Sequence, residues 1–274
     1  MISLAGLGTP LAVRLVDSTR PQQLDLIRRD ALNARQIEAF EERVGDIRSP
    51  ADFVEDTEVY TFVMRAFDLE DQIFGKAMIR KMLESDISDP KALVNRLTDP
   101  RLRELHQAFA FNPESQLSVK VLSEDWKQGI VDRFAERMLI NNADEGSRGA
   151  GLVLEFRNRV SKIDNWFDVL KNRDVSEFMR TALGLPKEIV QLDIDKQVSI
   201  FKAKFDLEDL KDPEKVDKLV GKFMAIHDAL NPVQPASSPT LTLMQGAVNL
   251  SNGFAPVLID IDAIQRMGSA SRYR

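Results

Sequence analysis

The sequence predicts an all-α protein: two related multi-helix modules joined by a long helical hairpin, with an apolar C-terminal tail. Three observations predict this. Apolar residues recur at steps of three and four along most of the chain, the spacing of one helix face. Ser, Asp or Asn stands directly before Pro at Ser49-Pro50, Asp89-Pro90, Asp99-Pro100, Asn112-Pro113 and Asp212-Pro213. Such a pair starts helices, because the side-chain oxygen accepts from free first-turn amides and Pro needs no amide partner there. Finally, a helical motif occurs twice. Glu58 to Leu69 aligns without a gap on Asp174 to Leu185, and Val59/Val175, Phe62/Phe178, Ala66/Ala182 and Leu69/Leu185 are identical. Ile73 and Ile189 follow at the same distance beyond each copy.

Composition bounds the function. A chain of 274 residues holds one large domain or two smaller ones, and 43% hydrophobic content supplies a sizeable core. The net charge of −6, with both signs interspersed, argues against a nucleic-acid-binding surface. The absence of cysteine excludes disulfides, thiolate metal sites and cysteine nucleophiles. Met1 to Gly8 carry no basic n-region and no long apolar run, so no signal peptide is expected. No stretch approaches the roughly 18 to 20 apolar residues of a membrane span. The expected compartment is the cytoplasm, with export by a route lacking a cleaved signal as the alternative.

In chain order, residues 1–48 read as an arm and a long helix. The first twenty or so form an irregular arm, and Leu24, Ile27, Ala31, Ala34, Ile37, Phe40 and Val44 mark one helix face ending at Gly45. Residues 49–111 form module one. A short helix starts at Ser49, and the repeated helix follows. A third carries Ile73, Phe74, Met78, Ile79, Met82 and Leu83, a fourth starts at Asp89-Pro90, and a fifth at Asp99-Pro100. Residues 112–173 read as the connecting hairpin. Its first helix carries Trp126, Ile130, Phe134 and Met138; Asn141 to Gly149 reads as a loop; Leu152, Phe156, Val160, Ile163, Phe167 and Leu170 mark its second helix. Residues 174–230 form module two. Leu185-Pro186 stops its first helix, Asp193 caps a helix with Val198, Phe201 and Phe205, and Asp212-Pro213 opens the last, with Val216, Leu219 and Phe223. Residues 231–274 are a Pro- and Ser-rich linker and a tail. Thr240 to Ile259 contains no charge, and exposed it would be an aggregation hazard. Leu241, Leu243, Met244, Val248, Phe254, Leu258 and Ile259 are therefore the candidate partner-binding residues, through docking on another protein or self-association.

Chemistry-bearing motifs are sparse. There is no Gly-rich phosphate loop. The two histidines, His106 and His227, read as helix-surface or helix-end residues rather than zinc ligands or a dyad. Asp193-Ile194-Asp195 reads as a cap, and Asp260-Ile261-Asp262 as a solubilising end to the tail; neither has a calcium-loop context. Ser147 and Ser269 lack a nucleophile turn. Trp126 and Trp166 fit core packing, and Arg28-Arg29 and Arg80-Lys81 fit solvated faces. No catalytic residue, cofactor or metal is expected.

Ser49 to Val54, Ala66 to Glu70, Ile79 to Glu84, Asn95 to Asp99 and Ala108 to Phe111 resemble, in that order, the domain-of-unknown-function family 1217. Thr181 to Pro186 and Asp193 to Gln197 resemble that family's later segment, so the likeness spans roughly residues 20 to 230. Asp68 stands where the first motif more usually shows Gly. The resemblance implies an all-α, α-proteobacterial protein, often encoded among flagellar genes, with no established activity. The expected function is that of a non-enzymatic structural or interaction protein of the flagellum, an assembly factor or component. The alternative is a small-ligand-binding protein or enzyme with a pocket between the modules, with convergent polar residues around His106.

Overall fold

A computed structural model describes residues 2–111 and 123–232, and every regular element among them is helical. The helices are α1 (Thr9–Arg29), α2 (Ala31–Arg43), α3 (Pro50–Glu55), α4 (Thr57–Ala66), α5 (Lys76–Leu83), α6 (Leu93–Arg96) and α7 (Pro100–Phe109), followed by α8 (Glu124–Gly146), α9 (Arg148–Arg159), α10 (Trp166–Lys171), α11 (Arg173–Ala182), α12 (Ile194–Lys204) and α13 (Pro213–Leu230). The predicted all-α class is the observed one. No described helix is long and apolar enough to cross a membrane.

Local chemistry places the starts. Ser49 and Asp52 form a capping box on α3: the Asp52 amide donates to Ser49 Oγ (3.2 Å) and the Ser49 amide to Asp52 Oδ2 (2.9 Å). Asn165 and Asp168 build the same device on α10, 116 positions later. Asp56 then caps α4 and Asn172 caps α11, again at that offset. Both helices close alike. Asp68 (φ 60°) and Gly184 (φ 64°) turn left-handed, and the amides of Leu69 and Leu185 reach back to the carbonyls of Met64 (2.8 Å) and Arg180 (2.9 Å). These bonds satisfy carbonyls that the helix end leaves free.

Two hydrophobic cores form. One gathers α2 to α7, the other α1 and α9 to α13. Phe62 is buried in the first, stacked on Phe40 at 4.7 Å and packed against Phe134 at 4.5 Å. Phe178 is buried in the second, stacked between Phe156 (3.9 Å) and Phe223 (4.4 Å). The long helix α8 serves both: Ile130, Val131 and Phe134 enter the first core, and Leu139, Ile140 and Ala143 the second.

Several expectations are corrected. The expected N-terminal arm is helical from Thr9, because Pro10 occupies the first turn, where a missing amide costs nothing. The long helix over residues 21–44 breaks at Asp30, whose carboxylate accepts from the amides of Leu32 (3.1 Å) and Asn33 (3.3 Å) and restarts the chain as α2. Asn141 to Gly149 is not a loop. α8 runs through Gly146, and Ser147 alone separates it from α9, capping the Ala150 amide. Burial of Ala143 outweighs the loop composition there. Gly149 and Gly151 serve close approach, since a Cβ would meet Thr9 Oγ1 at 2.2 Å and Asp144 at 2.4 Å. The helix expected over residues 152–170 ends at Arg159, where a tight turn leads to the Asn165 cap, leaving Phe167 exposed. Asp193 precedes α12, but its side chain makes no capping bond. Asp89-Pro90 opens a turn, and α6 begins only at Leu93. Ile73 and Phe74 lie before α5. Asn112-Pro113 and the whole tail lie outside the described residues.

Candidate functional site

The turn that closes α4 meets α7, α8 and α9 in a network of charges. The left-handed turn at Asp68 directs its carboxylate toward three arginines: Arg101 Nη1 at 3.4 Å, Arg137 Nη1 at 3.5 Å and Arg159 Nη2 at 3.9 Å. Arg101 also donates to the Asp68 carbonyl and pairs with Asp99 at 2.7 Å. Burial pushes the Asp68 carboxyl up and Glu155 adds to the shift, against the pull of the arginines.

Glu155 lies deepest, at 2% exposure. It accepts from Arg137 Nη1 at 2.5 Å and Arg159 Nε at 2.8 Å. Burial pushes its carboxyl up, but the two guanidiniums outweigh that and hold it below the usual range. Glu104 gathers three cations: Arg133, Arg159 Nη1 at 3.2 Å and Lys162 Nζ at 2.8 Å. Burial again opposes ionisation, and the bonds from Lys162 and Arg133 win, so this carboxyl is lowered too. The Arg133 guanidinium stacks over Phe67, 4.0 Å from the ring centroid.

Above this network opens a cleft of about 670 Å³. Arg133, Glu104, Arg159 and Lys162 line it together with Arg103 and Gln107. A hollow of about 270 Å³ lies beside Asp68, Arg137 and Asn158. The convergent polar residues are therefore neighbours of His106 on α7, not His106 itself. His106 is buried, with Nε2 at 2.8 Å from the Ser85 carbonyl oxygen.

The other residues singled out in the sequence take structural places. His227 Nδ1 lies 3.2 Å from Thr9 Oγ1, while Asp228 accepts from the Thr9 amide and hydroxyl, tying α13 to the start of α1. Ser147 is a cap. Trp126 Nε1 donates to the Ala108 carbonyl at 2.9 Å, and Trp166 stacks on Phe201 at 5.2 Å. Arg28 pairs with Asp132, Arg29 with Asp25 and Arg80 with Glu84. Among the described residues no group of three His, Cys, Asp or Glu could hold a metal ion. Leu241, Leu243, Met244, Val248, Phe254, Leu258 and Ile259, with Asp260, Asp262 and Ser269, lie outside the described residues.

Sequence reasoning missed the ion network, because its members come from four separated helices. One signal was present: Glu155 interrupts the apolar run Leu152-Val153-Leu154 and Phe156, a place where an acid needs buried partners.

The chain matches the model of the family described as Protein of unknown function (DUF1217) over residues 66–216. It belongs to that family. The motif resemblance thus points to the right family, although the matched span is narrower than residues 20 to 230. The chain is similar to the crystal structure of an Agrobacterium tumefaciens protein solved by the Northeast Structural Genomics Consortium. That protein is 30% identical, with 82% of this chain and 94% of that one covered and a TM-score of 0.73. No curated protein matches the chain. The DUF1217 match contains Asp68, Glu104, Arg133, Arg137, Glu155, Arg159 and Lys162, so the whole network falls inside the family segment.

Proposed function

We propose that this DUF1217 protein is a non-enzymatic interaction protein of the bacterial flagellum, an assembly factor or component, that works in the cytoplasm through protein partners. One observation carries the interaction reading: both copies of the repeat present an apolar side chain at the same corner. Phe74 is 97% exposed, and Val190, 116 positions later, is 53% exposed. Leu192 and Ile194 extend the second corner as exposed apolar residues. Single exposed apolar residues are ordinary, but an almost wholly solvated Phe repeated in kind at an equivalent corner supports a contact surface. The flagellar part rests on the family resemblance.

The test is capture from an α-proteobacterial lysate with the full chain and a Phe74→Ser/Val190→Ser variant, identifying bound proteins by mass spectrometry. Recovery of flagellar proteins by the wild type and their loss with a folded variant is the expected result. Equal recovery by both removes the corners, and recovery of no flagellar protein removes the flagellar reading.

A second reading, a small-ligand-binding protein, is favoured by the cleft above Glu104. Its size falls within the usual range for ligand sites.

A further inference from the structure

We propose that the cleft above Glu104 binds a small organic carboxylate with a short apolar body. The proposal rests on the ligand-binding reading and names its chemistry.

The first argument is charge. Arg103 lines the cleft and donates to a neutral acceptor, Asn95 Oδ1 at 2.6 Å; no carboxylate partners it among the described residues. Below it, Arg133, Arg159 and Lys162 share the one carboxylate of Glu104. Arg159 also serves Glu155 and, at 3.9 Å, Asp68, but both of those acids have Arg137 as a second cation. Two further acids line the cleft. Asp168 accepts from the amides of Asp164 and Asn165 and from Asn165 Nδ2, and its charge is answered by Lys171 at 4.0 Å. Asp164 remains as the opposing charge. A ligand carboxylate between Arg103 and Lys162 gains a cation with no acid partner, and Lys162 already shows that it accommodates a carboxylate oxygen at 2.8 Å.

The second argument is the wall. Pro100, Ala108 and Ile163 give the cleft an apolar side, while Phe67 and Val175 also line it but are buried, the Phe67 ring carrying Arg133. A fully hydrophilic ion would leave that side unused. A carboxylate on a short apolar body satisfies both, with Gln107 and Asn172 placed among the lining groups as neutral polar contacts.

The experiment is isothermal titration of the full chain with benzoate, hexanoate, neutral benzamide and inorganic phosphate at low salt. Benzoate or hexanoate is expected to bind saturably, with benzamide and phosphate weaker. Arg103→Gln is expected to weaken the carboxylate by about tenfold, the loss of one charge-assisted bond. Arg103 is exposed and outside the buried network, so this variant keeps the fold; Lys162→Gln is the second variant, checked for helical content first. Three outcomes overturn the proposal. Benzamide binding as well as benzoate shows an apolar pocket, which keeps the ligand reading and removes the anion. Phosphate binding in preference to carboxylates removes the named class. Failure of every probe, the neutral one included, removes the ligand reading with it.

Discussion

The corner that closes α4 and the corner that closes α11 have the same backbone and different residues. At the second stands Gly184, where an added Cβ would meet nothing within 4 Å, so glycine serves the left-handed turn alone. At the first stands Asp68 in the same turn, where a non-glycine residue costs about 1 kcal/mol. The surroundings account for the difference. Arg101, Arg137 and Arg159 face the first corner, and the carboxylate answers them. Two helix ends can thus share one turn geometry while one of them gives the turning residue a second task.

The largest effect concerns the two cores. Phe62→Ala and Phe178→Ala are each expected to cost about 3 to 5 kcal/mol in urea unfolding, as both side chains are buried and each packs against two other rings. A cost below about 1 kcal/mol at one site would show that the cores are not equivalent in packing.

Next comes the network that distinguishes the first corner. Glu155→Gln keeps the shape but leaves Arg137 and Arg159 buried without their shared charge. The expected loss is about 3 kcal/mol. An unchanged midpoint would show that the network is solvated and contributes little.

At the turns themselves, Gly184→Ala is expected to cost about 1 kcal/mol from backbone strain alone. Asp68→Gly relieves that strain and also removes a carboxyl whose ionised form burial disfavours, so it is expected to stabilise the protein near neutral pH. A destabilised Asp68→Gly protein would mean that the three arginines need its charge more than burial opposes it.

The smallest effect is in pH dependence. Glu104 and Glu155 are held below the usual carboxylate range, so their contribution is present above the unfolded-state pKa and is lost as pH falls through the folded values. Asp68 is raised, so it acts in the opposite direction: its contribution is present below the unfolded-state pKa and is lost as pH rises through the folded value. Asp68→Asn is therefore expected to remove the stability that the wild type gains on mild acidification, while the acid-side loss from the two glutamates remains. Unfolding of both proteins across pH 3 to 7, a range chosen to span roughly the ordinary carboxylate values, reads this directly. Parallel curves would refute the assignment.

Much of the fold was legible because it is written in short-range chemistry. Ser49, Asp99 and Asp212 start helices where their pairing with Pro indicates, and Phe62 and Phe178 are buried as their periodicity requires. The errors fall where long-range packing overrode a local signal. The Asn- and Gly-rich stretch after Ile140 stays helical because Ala143 is buried and Gly149 and Gly151 admit Thr9 and Asp144. Asp30 splits a helix whose apolar periodicity ran on unbroken.

The sequence by itself determined the helical class, most helix starts, the two equivalent phenylalanines and the family. Only the tertiary structure decided that Asp68, Arg101, Glu104, Arg133, Glu155 and Arg159 meet, and that a cleft opens above them. Caps and apolar periodicity act between residues a few positions apart, so a linear pattern records them. An ion network joins side chains tens of positions apart, and its members look like ordinary surface charges until the cores bring their helices together.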